Sequence, residues 1–450
     1  MRLFKHDKTV IKTALSMAFP SMLEMFFVCL AGLIDSLMVS SLGSNQVAAV
    51  GLTNQPKFLG MSVFMALNVS VSALVARRFG EKKQNDANAV FTTAFAFMLV
   101  MCAIISFIMV YFADSIIKFC GSTPETHADA VLYFRIIMSG LIFTTVQMCI
   151  NSAQRGCGNT KITMRTNVTS NTVNMVFNYL LIGGKFGFPA LGIRGAAIAT
   201  VFGYFVSCVM SIVSVCRPKV YINIPYIFKN KILPRVKTFV SIIRLGYSVF
   251  LEQLLIRVGF MLTAIMAAKQ GMDSMAAHQV VMNVLSMSFA FGDGLQTASV
   301  ALIGRSLGEK NPDKSWQYAN ACQFIGGVIS VILVVIYLFG GRPLLGMFFR
   351  EQHIIDIGVS ILYIAIFSVL FQVRQIIYMG CLRGAGDTFY TAMTSMICVT
   401  VIRTLVSYIG AYVFHIGIVG IWLGILADQM FRLLFAYIRF KKGKWVSIKI

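Results

Sequence analysis

The residues of this chain best placed to do chemistry are acids and amides stranded in apolar surroundings. Asp35 ends the run Cys29-Leu-Ala-Gly-Leu-Ile, and Glu24 lies eleven residues before it. On a helix, eleven residues come within about 20° of three full turns, so both carboxylates share a face, roughly 16 Å apart along the axis. Pro20, four residues before Glu24, removes an amide donor and loosens the helix there, which makes it a candidate hinge. Asn167, Asn171, Asn174 and Asn178 recur at spacings of 4, 3 and 4, again a single helix face. Further along stand the acids Glu252, Asp293 and Asp428, the amide Gln372, and the bases Arg257, Arg374 and Arg403.

A carboxyl group in a low-dielectric cavity binds its proton more tightly than it would in water. Such a group can take a proton on one side of a barrier and yield it on the other. An apolar cation bound beside it favours the ionised form, so proton and cation exclude one another, as antiport requires. The same oxygen atoms would suit Na⁺ near Asp35 or Glu252. His127, His278, His353 and His415 show no metal-ligand spacing, and no metal or other cofactor is expected. The connecting segments are short, and no catalytic cluster such as Ser with His or paired acids on a loop is expected in them, which argues against an enzyme.

The elements that must position these groups follow from composition. Only 12% of the 450 residues are charged and 57% are hydrophobic, with mean hydropathy +0.78, whereas soluble domains carry about 25% charged residues. The apolar character runs along the whole chain, so a soluble enzyme with one anchor is excluded. A β-barrel, whose strands alternate polar and apolar, is excluded too. Apolar windows place twelve spans near 14–40, 50–76, 89–112, 129–153, 162–184, 193–216, 242–268, 278–304, 317–340, 357–381, 390–412 and 418–438. The fold class is an all-α polytopic protein of the lipid bilayer. A charged side chain deep in a span costs a few kcal/mol or more unless it faces a cavity or a partner. Four amides facing lipid would be costly as well, so the Asn face should line a cavity.

The net charge of +22 could suggest nucleic acid, but no basic stripe interleaved with aromatics is present, and no nucleic-acid partner is expected. Most Lys and Arg instead lie between apolar runs, where they orient a membrane protein. Arg2, Lys5, Lys8 and Lys12 precede the first span; Arg77, Arg78, Lys82 and Lys83 follow the second; Arg305, Lys310 and Lys314 follow the eighth. The 217–241 linker holds Arg217, Lys219, Lys229, Lys231, Arg235 and Lys237 and no acid, and the tail ends in Arg439, Lys441, Lys442, Lys444 and Lys449. The basic excess puts both termini in the cytoplasm, in a cell (inner) membrane, with the start read as a retained first span without a cleavage site. Seven of the ten cysteines lie inside apolar runs, so no disulfide framework is expected.

The two halves repeat. Arg78-Phe-Gly-Glu-Lys82 matches Ser306-Leu-Gly-Glu-Lys310; Arg155-Gly-Cys-Gly-Asn-Thr160 matches Arg383-Gly-Ala-Gly-Asp-Thr388; Leu191-Gly-Ile193 matches Val419-Gly-Ile421. Each pair is 228 residues apart, and the same shift carries Glu24 onto Glu252 and Gly43 onto Gly271. An even number of spans per half makes the repeat parallel, giving an N-lobe at 1–216, a linker at 217–241 and a C-lobe at 242–450. Two-lobed transporters are built in this way.

The duplicated Gly-Glu-Lys and Arg-Gly-x-Gly-[Asn/Asp]-Thr turns on a six-plus-six repeat resemble the multidrug and toxic compound extrusion (MATE) family over essentially the whole chain. The resemblance implies a monomeric antiporter exporting amphipathic organic cations and drugs in exchange for H⁺ or Na⁺. Asp35 and Asn178 fall where the DinF-type branch keeps a first-span Asp and a fifth-span carboxylate or amide. Asn cannot be protonated, so this lobe rests on Asp35. Glu252 resembles the seventh-span Glu of the NorM-type branch, whose tenth-span Asp is replaced here by Gln372. The alternative is a related flippase for lipid-linked oligosaccharides, which free, cavity-facing Arg257, Arg374 and Arg403 would favour.

Plainer readings stand beside these. Asp35, Asn174 and Asn178 could simply pin helices together. Glu252 could pair structurally with Arg257 or another buried Arg, and Glu24 could be a structural acid. Asp293 and Asp428 read as buried partners for Arg374, Arg403 or Arg432. The duplicated glycines Gly80, Gly308, Gly156 and Gly384 read as tight loop geometry.

Overall fold

The computed structural model describes residues 8–40, 42–218 and 220–448. Arg2, Lys5, Lys219 and Lys449, counted above among the basic flanks, lie outside the described residues. Twelve long helical stretches follow one another. In the first half they are α1 (Lys8–Ser40), α2 (Ser44–Gly80), α3 (Gln84–Tyr111), α4 (Pro124–Ser139 and Leu141–Gly156), α5 (Thr160–Ile182) and α6 (Gly192–Cys216). In the second they are α7 (Val236–Ala268), α8 (Met272–Gly308), α9 (Pro312–Phe348), α10 (Gln352–Ala385), α11 (Thr388–Val413) and α12 (Gly417–Lys441).

Nine of these stretches are long and apolar enough to cross a membrane individually, and α4 makes a tenth if its two segments, bent by 43°, count as one span. The remaining long helices are α5 and α8. They fall short because they carry the groups of interest: α5 the Asn face, α8 Asp273, His278 and Asp293. All twelve begin before the expected spans, and α2, α4 and α8 to α12 also continue past their ends. At 37 residues, α2 is about 55 Å long, well beyond a hydrocarbon core of about 30 Å. Hydropathy windows register only the lipid-embedded stretch.

The repeat holds at the level of backbone. A shift of 228 residues carries Ser44–Gly80 onto Met272–Gly308, and both helices are followed by a lysine in the left-handed region, Lys82 (φ 57°) and Lys310 (φ 55°). Glu81 and Glu309 in these turns are partly buried, which would raise them. Hydrogen bonds and charges from Arg78 and Lys83, and from Lys314 and Arg305, outweigh that and hold both carboxyls below the usual range.

The glycines Gly156 and Gly384 correct an expectation. Both lie inside helices, and their role is close approach. A Cβ on Gly156 would stand 2.8 Å from the carbonyl oxygen of Ser72, and one on Gly384 would stand 2.5 Å from that of Val300. Ser72 and Val300 are themselves repeat equivalents. The left-handed positions of these turns belong instead to Gly158 (φ 83°) and Gly386 (φ 93°).

The chain divides into two compact units. One is Phe26–Gly246; the other joins the described residues through Met25 to those from Tyr247 onward. The changeovers fall inside α1 and α7. In the first unit, Gly246, about three turns into α7, lies against Ser70 and Leu67 of α2. The linker docks on the first turns of α3: Gln84 and Asn88 donate to the Tyr221 carbonyl at 3.0 and 3.1 Å, and Arg235 pairs with Asp86 at 2.7 Å. In the second unit, Val10, Ala14, Met17, Ala18 and Met22 of α1 join the core with α8–α10 and α12. Trp445 closes that core at one end, fully buried and stacked on Phe440 at 4.8 Å.

Two close backbone contacts at equivalent places predict equivalent damage. Gly156→Val and Gly384→Val should each cost on the order of 1–3 kcal/mol and lower the melting temperature of the detergent-solubilised protein. Gly327→Ala, whose Cβ would meet only the flexible Arg374 side chain at 3.7 Å, should melt as wild type.

Candidate functional site

In the Phe26–Gly246 unit, α1 and α5 bring Asp35 and Asn178 together. Asn178, fully buried, donates an amide hydrogen to Asp35 Oδ1, and its second hydrogen points to Asn174 Oδ1 at 3.5 Å. Asn174 in turn donates to Thr200 Oγ1 of α6 at 3.0 Å, and Thr200 donates to the Ala196 carbonyl at 2.9 Å. Every donor in this chain is matched to an acceptor, and the last acceptor is a half-buried carboxylate. Asn178 Oδ1 is buried with no hydrogen-bond partner.

The other half of the Asn face does different work. Asn167 accepts from Gln147 of α4 at 2.5 Å, next to a buried set in which Asn151 donates to Thr166 at 3.1 Å and accepts from Ser211 at 3.3 Å. These bonds tie α4, α5 and α6 together. Asn171, half-buried between the two groups, takes no part in the chain that ends on Asp35.

Three aromatic or basic neighbours of Asp35 escaped the sequence reading. Tyr133 of α4 and Tyr204 of α6 both feel its charge, and Tyr133 is hydrogen-bonded to Thr200. Lys57 of α2 is the opposite charge nearest in effect to Asp35. It stands twenty residues before Arg77, the next base of a helix that carries no acid, and that isolated charge is the signal that could have singled it out. The site therefore holds one carboxylate, one ammonium, three amide or hydroxyl groups and two phenols.

In the second unit the acids are engaged by guanidinium groups. Glu252, 1% exposed, bonds Arg383 at 2.7 Å. Arg383 belongs to the duplicated turn motif, which had suggested only loop geometry. Gln372 is fully buried with neither amide atom hydrogen-bonded. Asp428 is fully buried between Arg403 at 2.5 Å and Arg432 at 2.8 Å, and Arg403 also lies over the Phe260 ring at 4.6 Å. α11 carries a π-helical turn on each side of the Arg403–Tyr408 segment, at Ile397–Ile402 and Ile409–Val413, a distortion frequent at functional positions.

Two expectations need correction. Asp293 is exposed on α8, not buried, and among the described residues it joins no ion pair, though it feels the charge of Arg383. Alternation along a helix had shown that position 293 sits in an apolar stretch, but could not show which side of α8 is left uncovered. Arg374 is exposed on α10, away from every buried acid pair, and Arg257 is exposed on α7. Glu24 is buried at 1% exposure, and Pro20 sits within an unbroken α1, five residues before the contact boundary at Met25.

The MatE family model matches residues 20–180 and 248–409, one match in each repeat. A probable multidrug resistance protein NorM of Thermotoga maritima is 25% identical over 96% of this chain and 93% of its own length. The probable multidrug resistance protein YoeA of Bacillus subtilis is 25% identical over 88% and 86%. Among solved structures, an outward-facing multidrug resistance MATE family transporter of the MOP superfamily superposes with a TM-score of 0.90 at 21% identity, covering 99% of each chain. A MOP superfamily transporter from Pyrococcus furiosus gives 0.89 at 21% identity over the full length of both chains. Those two structures share the fold. With the family model matched across both halves of a helical membrane protein, the chain belongs to the MATE family: it is a multi-pass membrane transporter, not an enzyme.

Proposed function

We propose that the protein is a secondary active multidrug exporter that releases amphipathic organic cations in exchange for H⁺ by alternating access, with both termini in the cytoplasm of a cell-membrane protein. The observation that carries this reading is the bond from Asn178 to Asp35. The Asn178 amide, held through Asn174 to Thr200, donates to Asp35 Oδ1 as long as that oxygen carries no proton. A proton on Oδ1 sets donor against donor, and the unbonded Asn178 Oδ1 is the acceptor to which a turned amide would offer itself. Protonation of one oxygen thus reorganises contacts among α1, α5 and α6.

Lys57 fits the same cycle. It supplies part of the counter-charge of ionised Asp35. A bound organic cation beside Asp35 favours the ionised form further and so opposes its proton, which makes proton and drug exclude one another. A Na⁺ ion would need several oxygens converging on one point. This cluster offers one carboxylate faced by N–H donors, which supports H⁺ over Na⁺. Pro20, next to the place where the contacts of α1 change unit, is the proposed hinge, since it lacks one helix hydrogen bond.

In the second unit Glu252 acts as a structural latch with Arg383, and Arg403 is engaged by Asp428. Of the three arginines that a lipid-linked anion would use, the fully buried Arg403 is thus held by an acid, which speaks against its part in a flippase.

Expression in drug-sensitive cells should lower ethidium or norfloxacin accumulation, and Asp35→Asn should return it to the level of cells without the protein. Undiminished efflux by Asp35→Asn would remove Asp35 from the cycle. In proteoliposomes, efflux should follow an imposed pH gradient and ignore a sodium gradient; efflux driven by sodium alone would refute the proton assignment. For the latch, Glu252→Gln should cost about 3–5 kcal/mol of stability by leaving Arg383 buried and unpaired, and Arg383→Gln in the same chain should restore part of it. Equal melting of Glu252→Gln and wild type would show the pair to be dispensable for folding.

A further inference from the structure

A groove on the second unit serves no part of the cycle above. It has a volume of about 650 Å³, lies among α9, α10 and α12, and is walled by Phe324, Phe371, Phe431 and Leu434, with Arg374 and Tyr378 among its polar members. Phe431 and Leu434 are 41% and 47% exposed, so in a bilayer the groove opens onto acyl chains.

Arg374 makes this groove unusual. Its guanidinium extends along α9, where Nη2 would lie 3.7 Å from a Cβ on Gly327, and Gln323 of the same helix donates to its backbone carbonyl at 2.9 Å. Arg383, Arg403, Arg432 and Arg439 each have a carboxylate; among the described residues no ion pair includes Arg374. The groove wall contains no acid at all.

Depth narrows the occupant. Arg374 is eleven residues from Ala385, about 16 Å from that end of α10. The 34-residue helix is about 51 Å long and overhangs a hydrocarbon core of about 30 Å by roughly 10 Å at each end. Arg374 is thus rooted several ångströms below the headgroup level, where a guanidinium facing acyl chains gains from a partner of opposite charge. Towards that end of the helix stand Tyr378 and Tyr437, and Lys441 lies over the Tyr437 ring at 5.9 Å. A phosphodiester suits the guanidinium fork. The absence of acid and the presence of Lys441 leave no place for the ammonium of a zwitterionic headgroup.

We propose that this groove binds an anionic phospholipid, with its phosphate drawn down onto Arg374 and an acyl chain laid along Phe324, Phe371 and Phe431. The proposal rests on the membrane-spanning fold and is independent of the coupling ion and the exported compound.

The test is native mass spectrometry of the purified full-length protein in detergent, offered phosphatidylglycerol or phosphatidylcholine of identical acyl chains. Wild type should retain phosphatidylglycerol in preference, and Arg374→Gln should reduce that preference about tenfold, the loss of about 1.4 kcal/mol, with Arg374→Lys in between. Leu434→Trp keeps the charge and fills the groove, and it should also lose the bound lipid. Equal retention of the two lipids by wild type overturns the proposal, as does a preference that survives Arg374→Gln. Should Arg374→Gln not be recovered folded, a preference that survives Leu434→Trp overturns it.

Discussion

A polar group inside a membrane protein must have a partner, and this condition shapes the molecule from its helix packing to its mechanism. The chain that runs from the Ala196 carbonyl through Thr200, Asn174 and Asn178 ends on Asp35. Hydrogen-bond direction is what makes the ending consequential. An amide nitrogen can only donate, so the arrangement is satisfied by a carboxylate and frustrated when a proton sits on Oδ1, the oxygen that Asn178 bonds. A single proton is therefore felt by three helices without any long-range force. Low dielectric sharpens the effect, because an unsatisfied buried group there costs more than it would near water.

The two repeats share a backbone and divide the labour. Equivalent glycines admit equivalent close contacts, and equivalent lysines turn the chain in the left-handed region after α2 and α8. Charge is distributed otherwise. The first unit keeps a single acid half-buried beside amides, phenols and one lysine. The second places its acids Glu252 and Asp428 against three arginines. A buried ion pair contributes little net stability, yet breaking it is costly, so such pairs fix geometry more than they respond to ligands. In this account the first unit senses the proton and the second gives it a rigid counterpart.

Much of this was legible in the chain. Twelve helices follow from apolar windows and the 228-residue register from the repeated turns, while periodicity puts Asn174 and Asn178 on one face and only the family resemblance joins them with Asp35. Periodicity does not report which neighbour that face meets. Lys57 went unnoticed because Asn54-Gln55-Pro56-Lys57 reads as a polar interruption of an apolar span. The partner of Glu252 is 131 residues away, and nothing local marks Arg383 as more than part of a turn. The exposure of Asp293 and Arg374 depends on which helices cover α8 and α10, a property of the assembled bundle. The longest helices were also underestimated at their ends, where polar residues leave the hydrocarbon and hydropathy falls while the helix continues.

Proton release on drug binding tests the central claim most directly. Purified protein can be titrated with an organic cation in weakly buffered detergent solution, with a pH indicator reporting protons. At a pH where Asp35 is protonated in the drug-free protein, about one proton should leave per cation bound, the linkage expected when two ligands exclude one another, and Asp35→Asn should release none. Binding without proton release by wild type, or release that persists in Asp35→Asn, would contradict the account.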